Sequence, residues 1–243
     1  TATSGKIGLR PTLTAIKNGI DLFVAPAKWI FHRAPIDNDM YEVKNWNDYN
    51  TRIAKAGLEG KYGAEIGKIL PRSLPMYVVS IVYTFSLKGI NVEVNGIMPD
   101  KNTMKSFPRV ALMLSLKEGF ENLEYFGMGP YSCYSDFCNH VKYGHYKSTV
   151  SDEFVPMIKP QECGNHINCE YVTLTSNSDT VKVTGNFEFS ALHHSLYELE
   201  DIKHVHELSK DKNTYLIIGY KQNGVGSIKF DQFTEEAARQ RQH

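Results

Sequence analysis

No apolar run in this chain approaches the ~20 residues that a helix needs to cross a bilayer. The opening Thr1-Ala2-Thr3-Ser4-Gly5 has neither the charged nor the apolar part of a secretory leader. It also lacks an initiating Met, so the chain is expected to begin inside a longer protein or after processing. Excess charge of either sign is missing: Lys plus Arg and Asp plus Glu both number 27, and the formal net charge is zero. Without a long-range field, nucleic acid and membrane surfaces are not expected partners, and an uncharged ligand is. Cysteine is sparse. Cys133, Cys138, Cys163 and Cys169 fall in two pairs spaced five and six positions apart, at or beyond the wide end of the roughly two to four intervening residues typical of structural zinc pairs. Nothing points to secretion, where disulfides persist. The expectation is four free thiols in a reducing cytoplasm, with no metal and no cofactor held by this chain. Helical periodicity is scarce as well, no stretch is rich enough in Pro or Gly to be a linker, and no internal repeat is visible.

What the chain does have is alternation. Its 243 residues are 42% apolar and 12% aromatic, with 14 Tyr and 12 Phe, which supplies a sizeable core and favours strands. Thr12 to Val24 reads as a hairpin about Asn18-Gly19, because both central residues of a type I′ turn need φ > 0. Tyr77 to Phe85 and Ile90 to Asn95 read as strands joined at Lys88-Gly89, and Arg109 to Leu116 as another. Glu170 to Thr175 and Val181 to Thr184 pair around Ser176-Asn177-Ser178-Asp179, and Thr214 to Tyr220 forms the last strand. Short helices are expected over Asn47 to Leu58 and Leu196 to Ile202. Many short strands with little helix predict an all-β, antiparallel sandwich. It occupies residues 1–230 as one domain, and residues 231–243 follow as a disordered or helical tail.

Several polar clusters carry chemistry. Arg33 with Asp37, Asn38 and Asp39 reads as a turn whose Asn and Asp bond their own backbone, with Arg33 in an internal salt bridge. Gly127-Met128-Gly129-Pro130 reads as a tight turn, beyond which Tyr131 and Tyr134 could stack on a sugar ring. Pro160-Gln161-Glu162-Cys163-Gly164-Asn165-His166 brings an acceptor, an amide and an imidazole within five positions. It reads either as a buried polar turn, as a sugar contact, or as a carboxylate–imidazole pair for proton transfer. His193 and His194 adjoin, while His204 and His206 alternate as they would on one face of a strand; a metal there would need a third ligand.

Five stretches, taken together, resemble the last domain of family-2 β-galactosidases, which also occurs as the separate small chain of two-chain β-galactosidases. They are Phe31-His32-Arg33-Ala34-Pro35-Ile36-Asp37-Asn38-Asp39; Gly119 to Tyr131 followed by Tyr134-Ser135-Asp136; Pro160 to His166; Phe187 to His193; and Gly224-Val225-Gly226. They stand in the family's order, and the resemblance spans residues 5–227. It implies a galactose-mutarotase-like supersandwich. It also implies a parent enzyme that hydrolyses terminal β-galactosides such as lactose with retention, using two carboxylates about 5–5.5 Å apart. In the family these carboxylates sit on an upstream (β/α)₈ barrel, an architecture of about 200 residues or more that this strand-rich chain does not provide.

The chain is therefore expected to hold no catalytic residue, to line one wall of the active site and to support assembly. Arg33, Asp37, Asn38, Asp39, Tyr131, Glu162, Asn165 and His166 are its candidate substrate contacts. The resemblance further implies partners in the large chain or remaining domains, a homo-oligomer, and magnesium or sodium only in those other domains. It also implies a mobile loop over the sugar at Met40 to Trp46, where this chain has Tyr41 in place of a small residue. No Trp follows Gly226, although relatives place an aromatic there, and Phe230 stands out of register. One or both edges of the sandwich are accordingly expected to be clipped, which would leave unpaired strand groups and promote self-association. Two rival readings remain: an aldose mutarotase working through Glu162 and His166, and a carbohydrate-binding module.

Overall fold

Between Arg109 and Leu116 nearly every residue is apolar, and this segment becomes the strand that is buried on both faces. The computed structural model describes residues 2–7, 10–17, 20–41, 78–87, 89–97, 108–209 and 212–226. Their strands are β1 (Ala2–Ile7), β2 (Arg10–Lys17), β3 (Ile20–Asp21), β4 (Phe23–Ile30), β5 (Val78–Ser86), β6 (Gly89–Ile97), β7 (Arg109–Leu116), β8 (Asn122–Gly129), β9 (Lys142–Thr149), β10 (Asn165–Thr175), β11 (Thr180–Leu192) and β12 (Thr214–Gln222), with helix α1 (Leu196–Asp201) before the last. The fold is all-β and antiparallel, as the alternation predicts. The helix expected over 47–58, the loop positions 42–46, the Asn18-Gly19 turn, Phe230 and the tail 231–243 lie outside the described residues.

The main sheet has seven strands in the order β4-β7-β12-β11-β10-β8-β9. Period-two alternation sorts its side chains onto two faces. Leu112, Leu114 and Leu116 join Leu216, Phe187, Phe189, Val172, Leu174, Leu123 and Tyr125 in one continuous cluster. Cross-strand register brings these together: Leu114 lies opposite Leu216, and Leu174 opposite Leu123. On the other face Ala111 and Met113 meet Ile30, Ile217 and Leu196 of α1. The helix is capped by Ser195, whose hydroxyl accepts from the Glu198 backbone N–H, and it buries Leu196 and Leu199. Two smaller sheets, β1-β2-β3 and the hairpin β5-β6, complete the described strands.

Three expectations are corrected. The hairpin from Thr12 is paired only as far as Lys17↔Ile20 and Ile16↔Asp21 beyond its turn. The Phe23 N–H then bonds the Asp21 carboxylate, the chain bends, and β4 crosses to pair with β7, where Phe23 is buried. His204 and His206 are not on a strand. His204 caps a short 3₁₀ turn (Val205–Glu207) that contains His206, and their rings stack 5.5 Å apart. Among the described residues no three His, Cys, Asp or Glu side chains gather into a metal-sized cluster.

The third correction concerns Gly127-Met128-Gly129, which forms the end of strand β8 and reaches a cis Gly129–Pro130 bond. Its glycines answer close approach and not turning: a Cβ at Gly127 would collide with Cys169 on β10, and one at Gly129 with the Tyr125 hydroxyl. At Gly144, on the edge strand β9, an added Cβ would meet only the far end of the Tyr146 side chain, at 3.3 Å. Gly127→Ala should therefore destabilise the chain by about 1–3 kcal/mol through overpacking, and Gly144→Ala by much less, as read from denaturant midpoints.

Candidate functional site

One end of the main sheet gathers three loops that are far apart in sequence: residues 31–39 after β4, 130–137 after β8, and 153–164 before β10. The segment 223–226 that leaves β12 joins them. An open cavity of about 370 Å³ lies among them. Ile36, Asp37 and Asn38 come to it from the first loop, Tyr134 and Phe137 from the second, Gln161 and Glu162 from the third, and Val225 from the last segment.

Side chains hold the last segment in place. Arg33, with no exposure, donates to the Asn223 and Gly224 carbonyls at 2.6 and 3.0 Å, and one of its nitrogens meets both carboxylate oxygens of Asp39 at 2.8 and 3.0 Å. Asp39 also accepts from the Ile36 N–H, so the acidic turn orients the cation that binds the distant chain. Asn38 donates to the Val225 carbonyl at 2.8 Å. From the opposite side the Asp136 carboxylate accepts from the Val225 and Gly226 N–H groups at 2.9 and 2.7 Å. Gly224 and Gly226 are required for this approach, since a Cβ at either would press on the Asp136 carboxylate.

Glu162 sits beneath the cavity, paired with Arg109 at the head of β7; Arg109 also donates to Gln222 at 2.7 Å. Both partners of this ion pair are almost fully buried. Asn165 and His166 turn elsewhere. The Asn165 amide donates to the Cys133 carbonyl, and its own carbonyl accepts from the Cys133 N–H, pinning the second loop. His166 is fully buried between Tyr125 and Phe189, with Nε2 2.7 Å from Glu153 and Nδ1 3.1 Å from the Met128 carbonyl.

The sequence candidates thus divide. Asp37, Asn38 and Glu162 line the cavity, whereas Arg33, Asp39, Asn165 and His166 are interior supports. Tyr131 is 69% exposed and lies outside the lining. Glu162 and His166 do not converge: each faces its own buried partner, so the carboxylate–imidazole pair for proton transfer is not formed. Residues that local reading passed over are Arg109, Gln222, Asp136, Glu153, Gln161 and Phe137. An Arg opening the apolar run of β7 was the one signal available, because a charge there must find a partner inside.

All four cysteines are free thiols. Burial pushes the Cys133 thiol up to about 11 and Cys163 up to about 12, and raises Cys169 as well. A raised thiol pKa leaves little thiolate at pH 8, so a disulfide-exchange reagent should label only half-buried Cys138 in the native chain and all four cysteines after unfolding. Glu162→Ala should lower stability by roughly 3–5 kcal/mol, because it strands buried Arg109. Asp37→Ala, at an exposed position, should shift it by no more than about 0.5 kcal/mol. Urea melts of the two variants separate a supporting carboxylate from an accessible one.

Residues 9–237 match the family described as "Beta galactosidase small chain". The chain is 30% identical over 234 residues to the β-galactosidase of Streptococcus thermophilus, covering 88% of this chain and 22% of that protein. It is 31% identical over 210 residues to the β-galactosidase of Staphylococcus xylosus, covering 80% and 21%. It is 28% identical over 222 residues to that of Actinobacillus pleuropneumoniae, covering 87% and 22%. The chain spans about a fifth of the length of these curated relatives. With the match running through nearly all of its strands and all four segments around the cavity, the chain belongs to the β-galactosidase small-chain family.

Proposed function

We propose that this chain is the non-catalytic sandwich part of a family-2 β-galactosidase that hydrolyses terminal β-galactosides with retention. Its cavity end forms one wall of the active site, and its sheet supports assembly with the large chain and with further copies. The observation that carries this reading is the family match through residues 9–237 by a chain that covers only about a fifth of its relatives. The geometry agrees with it. Retaining hydrolysis needs two carboxylates about 5–5.5 Å apart that are free to attack and to pass a proton. Of the two carboxylates lining the cavity, Glu162 is committed to Arg109. The mutarotase reading loses its proton-transfer pair, because His166 is enclosed with Glu153.

Charge-assisted hydrogen bonds, stronger than neutral ones, hold the last segment from both sides, buried at Arg33 and exposed at Asp136. The test is complementation with a relative's β-galactosidase truncated before its small-chain segment. The purified chain should give no hydrolysis of a chromogenic β-galactoside alone, and should restore hydrolysis when mixed with the truncated enzyme. Turnover by the chain alone, or a mixture as inactive as its parts, would overturn the assignment.

A further inference from the structure

On the far side of the loop after β8, away from the cavity, two thiols face one another across a tight turn. Tyr134 and Phe137 exchange both of their backbone hydrogen bonds, each 2.9 Å, and form an isolated antiparallel bridge about the two-residue turn Ser135-Asp136. The next position out is Cys133 on one side and Cys138 on the other. Positions that flank a doubly hydrogen-bonded antiparallel pair are the closely spaced ones, with Cα atoms about 4.5 Å apart. A disulfide closes across Cα separations of about 4.4–6.8 Å, so the spacing is within its reach.

Alternation sets the direction of the side chains. Tyr134 and Phe137 line the cavity, so Cys133 and Cys138 turn to the opposite face. There they share one apolar cluster with Met128, Val141 and Ile167. Their backbones are engaged elsewhere: the Cys133 N–H donates to the Asn165 carbonyl, and the Cys138 carbonyl accepts from the Val141 N–H. Both are free thiols, Cys133 without exposure and Cys138 half-buried. Cys169, the other thiol of this region, is wedged against Gly127 and donates to the His166 and Ile167 carbonyls.

We infer that Cys133 and Cys138 are a dithiol–disulfide pair, which a small-molecule disulfide such as oxidised glutathione closes and a thiol reductant reopens. Cys138, the more accessible thiol, loses its proton and attacks the glutathione disulfide. One glutathione thiolate leaves, takes up a proton, and the other half remains on Cys138. The Cys133 thiolate then attacks the Cys138 sulfur, and the second glutathione thiolate leaves and is protonated. Two protein thiols are thereby oxidised to one disulfide, and one glutathione disulfide is reduced to two thiols. Burial pushes the Cys133 thiol up to about 11, so it is seldom ionised, and the second step relies on its position beside Cys138. In closing, Cys133 gives up only a weak bond to the Met128 carbonyl. The closed ring encircles Asp136, whose carboxylate holds the Val225 and Gly226 N–H groups. The redox state of the pair thus sets how firmly the turn that grips the last segment is fixed, whatever the function of the cavity.

The test is incubation of the purified chain with oxidised glutathione at pH 8, followed by unfolding in iodoacetamide, tryptic digestion and mass spectrometry. Cys133 and Cys138 fall together on tryptic peptide 118–142, and Cys163 and Cys169 on 148–182. Peptide 118–142 should appear unalkylated and lighter by two hydrogens, and doubly alkylated again after treatment with dithiothreitol. Peptide 148–182 should carry two alkyl groups throughout. Cys133→Ala should stop at the mixed disulfide and keep its glutathione at least about tenfold longer than wild type. Should that buried substitution unfold the chain, Cys138→Ser, at a half-buried position, should take up neither a glutathione nor a bridge. Wild type that keeps glutathione as long as Cys133→Ala does, that links 118–142 to 148–182, or that stays fully reduced would overturn the pair, as would a bridge or adduct in folded Cys138→Ser.

Discussion

A guanidinium with no exposure to water governs this end of the molecule. Desolvating an ion is expensive, on the order of several kcal/mol even after relaxation, unless its hydrogen bonds are met. Arg33 meets most of them, through its two terminal nitrogens, with the Asp39 carboxylate and two carbonyls from a segment some 190 positions away. The arrangement works only if the acidic turn, the Gly-Val-Gly segment and the loop bearing Asp136 all take their places together. Removing any one of them would leave a buried charge or a bare carboxylate. The local geometry of the cavity therefore follows from a satisfaction rule and not from apolar packing, which lies deeper in the sheet.

The same rule accounts for how charge is distributed. Arg33 with Asp39 and Arg109 with Glu162 are spent inside as ion pairs, and the Glu153 carboxylate is held by a hydrogen bond with His166. Such pairs add little net stability over a well-packed apolar core, but they penalise every arrangement that separates them. They give a chain of zero net charge a defined set of loop positions, while the core of Leu, Phe and Val along β7, β12 and β11 supplies the cohesion. Asp37, on the cavity lining, accepts no hydrogen bond among the described residues.

Much of this was legible in the sequence where chemistry is local. Arg109 to Leu116 is strand over the bounds that its apolar run predicts, because such a run buries both faces of a central strand. The Ser176 to Asp179 turn was legible because its residues bond their own backbone. Strand β8 was hidden by Gly127 and Gly129, whose role depends on Cys169 and Tyr125 and not on turn dihedrals. At the site, Asp37, Asn38 and Glu162 were among the residues named because loops carry polar residues to one end of a sheet. The internal salt bridge of Arg33 was legible, and a buried polar turn at Asn165 and His166 was one reading of that segment. The partners Asn223, Gly224, Cys133 and Glu153 could not be read, since they lie elsewhere in the chain. Asp136 is the clearest case: both of its acceptor bonds reach residues about 90 positions away, beyond any local pattern.

Strand β12 lies between β7 and β11 in the middle of the seven-stranded sheet, although it is the last of the described strands in chain order. Without it the sheet is two separate pieces, β4-β7 and β11-β10-β8-β9, each with a long unpaired border. Those borders find their native partner only when Thr214–Gln222 is present, so the native sheet cannot close before its last described strand. The same strand delivers the Gly-Val-Gly segment into the grip of Arg33 and Asp136. Completion of the sheet and completion of the cavity are thus a single event, and a chain truncated before β12 would have neither.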